Sequence, residues 1–343
     1  MSRPVTRHSG HERLAALWEP GCRLLGVNRA IMGGAMTWVS ERNLVAAVAA
    51  AGGFGVIACG AMNPDQLDDE ITGTRELTDR PFGVNLIVMH PDLDRLIDVC
   101  IGRTVTHVVL AGGLPQAATI RRIREAGLRV LAFAPALAIA RRLVRSGIDG
   151  IVIEGMEAGG HIGPVSTSVL AQETLPHVDG APVFVAGGIG RGEAIASYLR
   201  MGAAGVQLGT RFVCARESVA HDNFKKAFLR ASARDAQPSR QLDSRFPVIP
   251  VRAIVNDGVR NFTEKQREVI ARHDCGEIDQ SAAQLEIEHF WAGALRRAVI
   301  EGDVKNGSLM AGQSVGMVTT EQSMADIMDE LVEQAVQALS DQG

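Results

Sequence analysis

Aromatic rings are scarce in this chain: 10 Phe, 3 Trp and 1 Tyr make up 4% of its 343 residues. Proteins that grip single-stranded nucleic acid stack bases on rows of rings along a basic groove, and too few rings are present to build one. Charge points the same way, since 35 Lys+Arg against 39 Asp+Glu leave a net charge of −4. Such a chain has no general attraction for phosphate backbones or anionic membranes. Lysine is scarcer still: Lys225, Lys226, Lys265 and Lys305 are the whole complement. None precedes residue 225, so a Schiff-base mechanism in the first two thirds lacks its nucleophile. The five cysteines (Cys22, Cys59, Cys100, Cys214, Cys275) are scattered and form no CxxC pair, which argues against a disulfide framework and a zinc site. They read as reduced thiols of a cytoplasmic protein. No apolar run is long enough to span a bilayer. The residues before about Leu14 are too polar for a signal peptide. No His/Asp/Glu set has metal-ligand spacing, so no metal is expected.

Glycine is plentiful, at 37 residues, and is concentrated at the ends of short apolar runs. Those runs fall at 30–33, 55–59, 83–88, 107–110, 129–133, 151–153, 183–186 and 206–208. Their hydrophobicity is continuous rather than alternating, as in strands covered on both faces of a parallel sheet. Between them lie segments with helical spacing, at 41–51, 64–77, 115–126, 136–146 and 192–201. Eight such units predict an α/β fold, a TIM (β/α)8 barrel; an open doubly wound sheet is the alternative. After residue 212 the pattern breaks. Residues 213–307 are more polar and lack clear buried strands, which predicts a mostly helical inserted domain after strand eight, a substrate cap. The barrel domain would be 1–212 plus 308–343. A last helix at 321–339 places Met324, Ile327, Met328, Leu331, Ala335 and Leu339 on one face. That stripe would dock on the barrel wall or, alternatively, on a second copy in a homodimer.

The chemistry concentrates at the ends of the late strands. The sixth run is followed by Glu154-Gly155-Met156-Glu157-Ala158-Gly159-Gly160-His161-Ile162-Gly163. Gly159 and Gly160 let backbone approach a ligand closely. His161 stands where a barrel enzyme places an acid, base or hydrogen-bond donor; the plainer reading is a glycine turn with a surface histidine. The seventh run ends in Gly187-Gly188 before a helix, and the eighth in Gly209-Thr210-Arg211. Loops at these two places form the recurring phosphate site of barrels, from backbone N–H groups and a helix N-terminus. The Thr210 hydroxyl adds a donor. After the first run Gly33-Gly34-Ala35-Met36 offers backbone room and a thioether to lie on a flat ring, and Asn85 offers an amide for a ring edge. A core methionine and a buried, satisfied asparagine are the structural alternatives. Glu154 could accept from a ribityl hydroxyl, while Glu157 reads as solvated. A phosphate cradle, a flat slot and no other redox group point to flavin mononucleotide (FMN). A barrel binding another phosphorylated metabolite without redox chemistry is the contrasting reading.

With these residues in view, the chain resembles the flavin-dependent enoyl-acyl-carrier-protein reductases of the FabK type, and more broadly the nitronate monooxygenase (2-nitropropane dioxygenase) superfamily. The likeness rests on 154–163, on Val185-Ala186-Gly187-Gly188-Ile189 and on Gly205-Val206-Gln207-Leu208-Gly209-Thr210-Arg211-Phe212. The stretches 215–218 with His221, and 302–304 with 307–313, look like the reductase branch. One departure is visible. The reductases usually have Gln-Gly-Gly-Met-Ala-Trp after strand one, and this chain has Met32-Gly33-Gly34-Ala35-Met36-Thr37-Trp38. An N-terminal extension of about twenty residues has no counterpart in that pattern.

The resemblance implies one non-covalent FMN, with Gly187, Gly188, Gly209 and Thr210 at its phosphate. Gly34, Met36, Asn85 and Glu154 would flank it, and Met310 and Gln313 would approach its edge. His161 would be the catalytic histidine. The implied reaction is reduction of an enoyl thioester, small-molecule or carrier-bound, with NADH or NADPH as reductant. Nitronate oxidation by O2 at the same FMN and His161, or NAD(P)H:quinone reduction, are the alternatives. An acyl carrier protein is the implied partner, and Lys225, Lys226 and Arg230 would meet its acidic surface or else form a solvated helix face.

Overall fold

Eight of the apolar runs become parallel strands in a computed structural model that describes residues 9–246, 250–290 and 293–340. The strands are β1 (Ile31–Gly33), β2 (Val56–Ala58), β3 (Gly83–Ile87), β4 (His107–Ala111), β5 (Arg129–Phe133), β6 (Gly150–Glu154), β7 (Gly160–His161), β8 (Val183–Ala186), β9 (Gly205–Leu208), β10 (Ala236–Pro238) and β11 (Val251–Ile254). The large sheet runs β1-β9-β8-β6-β5-β4-β3-β2, every neighbour parallel. A parallel bridge from Met32 to Phe54 brings its two edges together. The result is a nearly closed TIM-type barrel, not an open doubly wound sheet. Its strands are buried almost throughout, as their unbroken hydrophobicity requires.

The expected helices form between the strands. Pro64–Leu77 begins where the sequence dictates: Pro64 stands in its first turn, and Asn63 and Gln66 exchange side-chain-to-backbone hydrogen bonds of 2.9 Å each. The N-terminal extension also has a place. Residues 1–8 lie outside the described residues, and Gly10–Leu25 is a helix opened by a Ser9/Glu12 capping box. It crosses the N-terminal ends of the strands. There the Leu24 carbonyl meets His107 Nε2 at 2.9 Å, and Gly21 lies against the Ala204 carbonyl so closely that a Cβ would sit 2.1 Å from it. The apolar stripe of the last helix, Met324–Ser340, is buried within the chain, against Gly10–Leu25, Arg42–Ala50 and Gly192–Arg200.

The insertion differs from its expectation in one respect that matters. It is mostly helical, with Asp222–Arg230, Asp257–Asp274, Gln280–Phe290 and Ala294–Val299, yet it also carries β10 and β11. These pair antiparallel with each other, and β11 pairs antiparallel with β7, so the cap and the His161 segment share one small sheet. Arg252 interrupts the apolar run at 251–254, and the partner strand lies some ninety residues away, so local pattern could not announce the pairing. Phe246, Phe262, Val269, Ala283 and Ile287 form a separate small core within the insertion. Phe224, Phe228, Ala298 and Val299 pack instead into the main core.

Candidate active site at the barrel mouth

The site is assembled on the C-terminal ends of the strands, where barrel loops converge. The chain leaves β6 at Glu154, turns through 155–159 and enters β7. Gly160 has φ +78°, a conformation side chains rarely adopt, and it sits where a Cβ would be 3.6 Å from Met310 Sδ. Gly159 lies flush on the 311–312 backbone, with room for no side chain. Strand β7 is then fixed by the cap: His161 pairs with Val251, Gly160 with Arg252, and the Ile162 N–H donates to the Pro250 carbonyl at 3.0 Å. The His161 ring reaches solvent, yet surrounding protein strips enough water from it to lower its pKa below the usual imidazole value. It is therefore neutral at pH 7.

Glu157 is not a solvated side chain, as its position in a glycine loop had led us to expect. Its carboxylate accepts from both the N–H and the hydroxyl of Thr167, each at 2.8 Å, and its carbonyl accepts from the Gln313 N–H at 2.9 Å. It therefore staples the His161 loop to the next helix and to the 310–313 segment. Met310 and Gln313, expected to approach a flavin edge, lie on that segment, Met310 beside Gly160 and Gln313 on the Glu157 carbonyl.

The candidate anion site lies directly against this loop, with Gly187 beside Gly155 and Gly188 beside Glu157. Gly187 and Gly188 have φ of +95° and +72°. Their N–H groups, and those of Gly209 and Thr210, donate no hydrogen bond among the described residues. N–H groups without a partner on the ends of adjacent strands are the kind of donor an anion requires. At the N-terminus of the following helix, the Gly192 N–H is bonded to Gln334 Oε1 at 2.8 Å. The Thr210 hydroxyl accepts from the Gly312 N–H at 2.9 Å, which leaves its own hydrogen to donate. Met36 sits beside this cradle despite the displaced glycine pair: its Sδ is 3.4 Å from where a Gly209 Cβ would be. Gly34 donates to the Leu208 carbonyl at 2.8 Å and abuts Gln207. Asn85 is buried in β3 and gives one amide hydrogen to the Val109 carbonyl at 3.0 Å, leaving the other and its oxygen for a ligand.

Glu154 opens onto a recess of about 300 Å³ between the ends of β4, β5 and β6. Leu114, Phe133, Pro135 and Ile139 form its apolar wall, with Gly163 at its edge. Burial pushes the Glu154 carboxyl up to about 7. A roomier hollow of about 610 Å³ borders the helix Asp257–Asp274, between Asn261, Lys265 and Glu268, and holds none of the expected site residues. Free donors for a phosphomonoester, a thioether beside them and glycine-lined space at the mouth all fit FMN.

Three residues at this site were not singled out from the sequence. Gln207 is a polar residue inside the apolar run of β9, a signal that was legible. Arg252 is buried on β11, its Nε on the Met156 carbonyl at 2.9 Å and its Nη1 on the Ala236 carbonyl at 2.6 Å. Trp38 adopts φ +68°, rare for a bulky residue, with the Arg296 guanidinium 5.8 Å above its ring. Of the expected basic cluster, Lys226 and Arg230 are exposed and Lys225 is not. Lys225 is buried, its ammonium bonded to the Ala215 carbonyl and to Glu321 at 2.9 Å each, so it offers nothing to an acidic partner.

The sequence model of nitronate monooxygenases matches residues 20–99 and 93–334. The chain belongs to the nitronate monooxygenase family. As a family member it is an FMN-dependent oxidoreductase. Among solved structures it is similar to FabK from Thermotoga maritima, at 35% identity and TM-score 0.85, covering 93% of this chain and 96% of that one. Among curated proteins it is 30% identical to (3aS,4S,5R,7aS)-5-hydroxy-7a-methyl-1-oxo-octahydro-1H-indene-4-carboxyl-CoA dehydrogenase of Rhodococcus jostii, covering 92% of this chain and 95% of the relative. It is also 30% identical to a nitronate monooxygenase of Paraburkholderia phytofirmans, covering 79% and 87%.

Proposed function

We propose that the enzyme reduces a carbon–carbon double bond conjugated to an acyl thioester, with NADH or NADPH as the electron source. The observation that carries this reading is His161 on a ribbon built half by the barrel and half by the cap, beside an apolar recess. A proton-handling group there would face a bound acyl chain at the mouth. The full-length likeness to a carboxyl-CoA dehydrogenase and to FabK supports a thioester as the reacting group. Bound FMN would supply the hydride. Gly187, Gly188, Gly209 and Thr210 would hold its phosphate, and Gly34, Met36, Asn85 and Glu154 would border it. His161 would donate an N–H to the thioester oxygen as charge develops there, and would supply or relay from solvent the proton that the α-carbon takes up. The cap, expected over 213–307, would exclude water. With Lys225 withdrawn, the carrier is specified only by its thioester arm, which acyl carrier protein and coenzyme A share.

A second reading draws on the same depressed His161 pKa. A neutral imidazole is a competent base for a nitro-activated carbon acid, and O2 would then be the oxidant, as the family's name describes. Quinone reduction is a third use of the same site.

One anaerobic experiment separates them. NADH, then NADPH, is mixed with the flavin-loaded protein while flavin absorbance is followed. Bleaching, followed by recovery of colour on adding a trans-2-enoyl thioester, is the expected result. Bleaching reversed by a quinone alone would replace the thioester reading. No bleaching with either nucleotide, but turnover of an alkyl nitronate in air, would establish the second.

A further inference from the structure

Three arcs of the barrel mouth carry different chemistry. The ends of β8, β9 and β1 hold the free N–H groups and Met36, the cap ribbon holds His161, and the ends of β4, β5 and β6 surround the recess of about 300 Å³. A cofactor anchored by its phosphate on the first arc and reaching Glu154 would leave the apolar wall beyond that carboxyl to a second molecule. The recess is built for an apolar group. Phe133 ends β5, Ile139 projects from the first turn of the helix Leu137–Arg145, and Leu114 and Pro135 complete the wall. Among the described residues that line it, Glu154 is the one ionisable side chain. Its size is at the low end for ligand sites.

We infer that this recess is the acyl pocket, and that it selects compact ring-bearing or branched acyl groups over long straight chains. The inference rests on the thioester reading above and narrows its substrate class.

The test uses the full-length, flavin-loaded enzyme and three thioesters of coenzyme A: crotonyl, cyclohex-1-ene-1-carbonyl and trans-2-hexadecenoyl. Wild type is expected to show kcat/KM for the ring-bearing thioester at least about 10-fold above that for hexadecenoyl. Ile139→Trp, with Ile139→Phe as the milder variant, narrows the recess and is expected to lower the ratio of ring-bearing to crotonyl kcat/KM by about 10-fold. Phe133→Ala widens it and is expected to raise the hexadecenoyl to crotonyl ratio. Flavin content is measured in every variant. Preference of wild type for hexadecenoyl would overturn the inference, as would equal changes for all three thioesters. Loss of flavin from the folded variants would make the recess a flavin seat and overturn it too. If reduced wild-type enzyme is reoxidised by none of the thioesters, the thioester reading itself fails and the pocket assignment falls with it.

Discussion

Two titratable side chains at the mouth have pKa values shifted toward their uncharged forms. His161 loses hydration and stays neutral; Glu154 loses hydration and holds its proton up to about 7. His161→Ala should lower kcat by about 10² to 10⁴ while flavin content is retained, because only proton handling and oxyanion contact are removed. Steady-state rates beside the visible spectrum decide it, and unchanged turnover in a yellow variant would sink the role. Glu154 makes a stability prediction. Its folded pKa lies above its unfolded value near 4.5, so the folded state holds the proton longer and loses stability as pH climbs from about 4.5 through 7. Glu154→Gln removes that loss. The variant should match wild type near pH 4.5 and melt higher at pH 8, and thermal melts at both values test this. Equal melting curves at pH 8 would mean the carboxyl is not desolvated.

At the scale of elements, the decisive piece is the ribbon β10-β11-β7. Strand β7 is two residues long and cannot stand alone; its geometry is borrowed from β11. Arg252 locks the borrowed pairing from beneath, since its guanidinium bonds carbonyls on the His161 loop and on β10. Arg252→Met keeps the bulk but leaves those carbonyls unpaired, a cost of about 1–3 kcal/mol. Stability should fall by that order and kcat should fall with it, while Arg252→Lys should recover part of both. A variant that loses stability but keeps wild-type kcat would show the ribbon to be scaffolding alone. None of this was legible locally. The Glu154–Gly163 loop announced itself by composition, but its partner strand hid behind an arginine and a break of some ninety residues. Glu157 was misjudged for a related reason: its partner Thr167 is ten residues on, and a glycine loop gives no periodicity from which to read a direction.

For the whole molecule, the helix Gly10–Leu25 closes the end of the barrel opposite the mouth, and the Met324–Ser340 helix packs between it and the wall. Stability and chemistry thus sit at opposite ends, as in barrels generally. Leu25→Ala, at a fully buried position, should cost about 2–5 kcal/mol and leave kcat near the wild-type value at a temperature where the variant is folded. Paired denaturation and rate measurements check it; a large kcat defect in a folded variant would show that the closed end communicates with the mouth.

The sequence by itself determined a parallel β/α architecture covered on both faces, because continuous apolar runs alternating with amphipathic segments admit few other burials. It also determined the position of His161 and the two glycine loops, since special backbone conformations demand special residues. Closure of the sheet, the cap strand that holds His161, the withdrawal of Lys225 and the stapling by Glu157 were decided only by tertiary structure. Each depends on a partner far along the chain. No local pattern encodes the free energy of a contact until folding has brought both sides of it together.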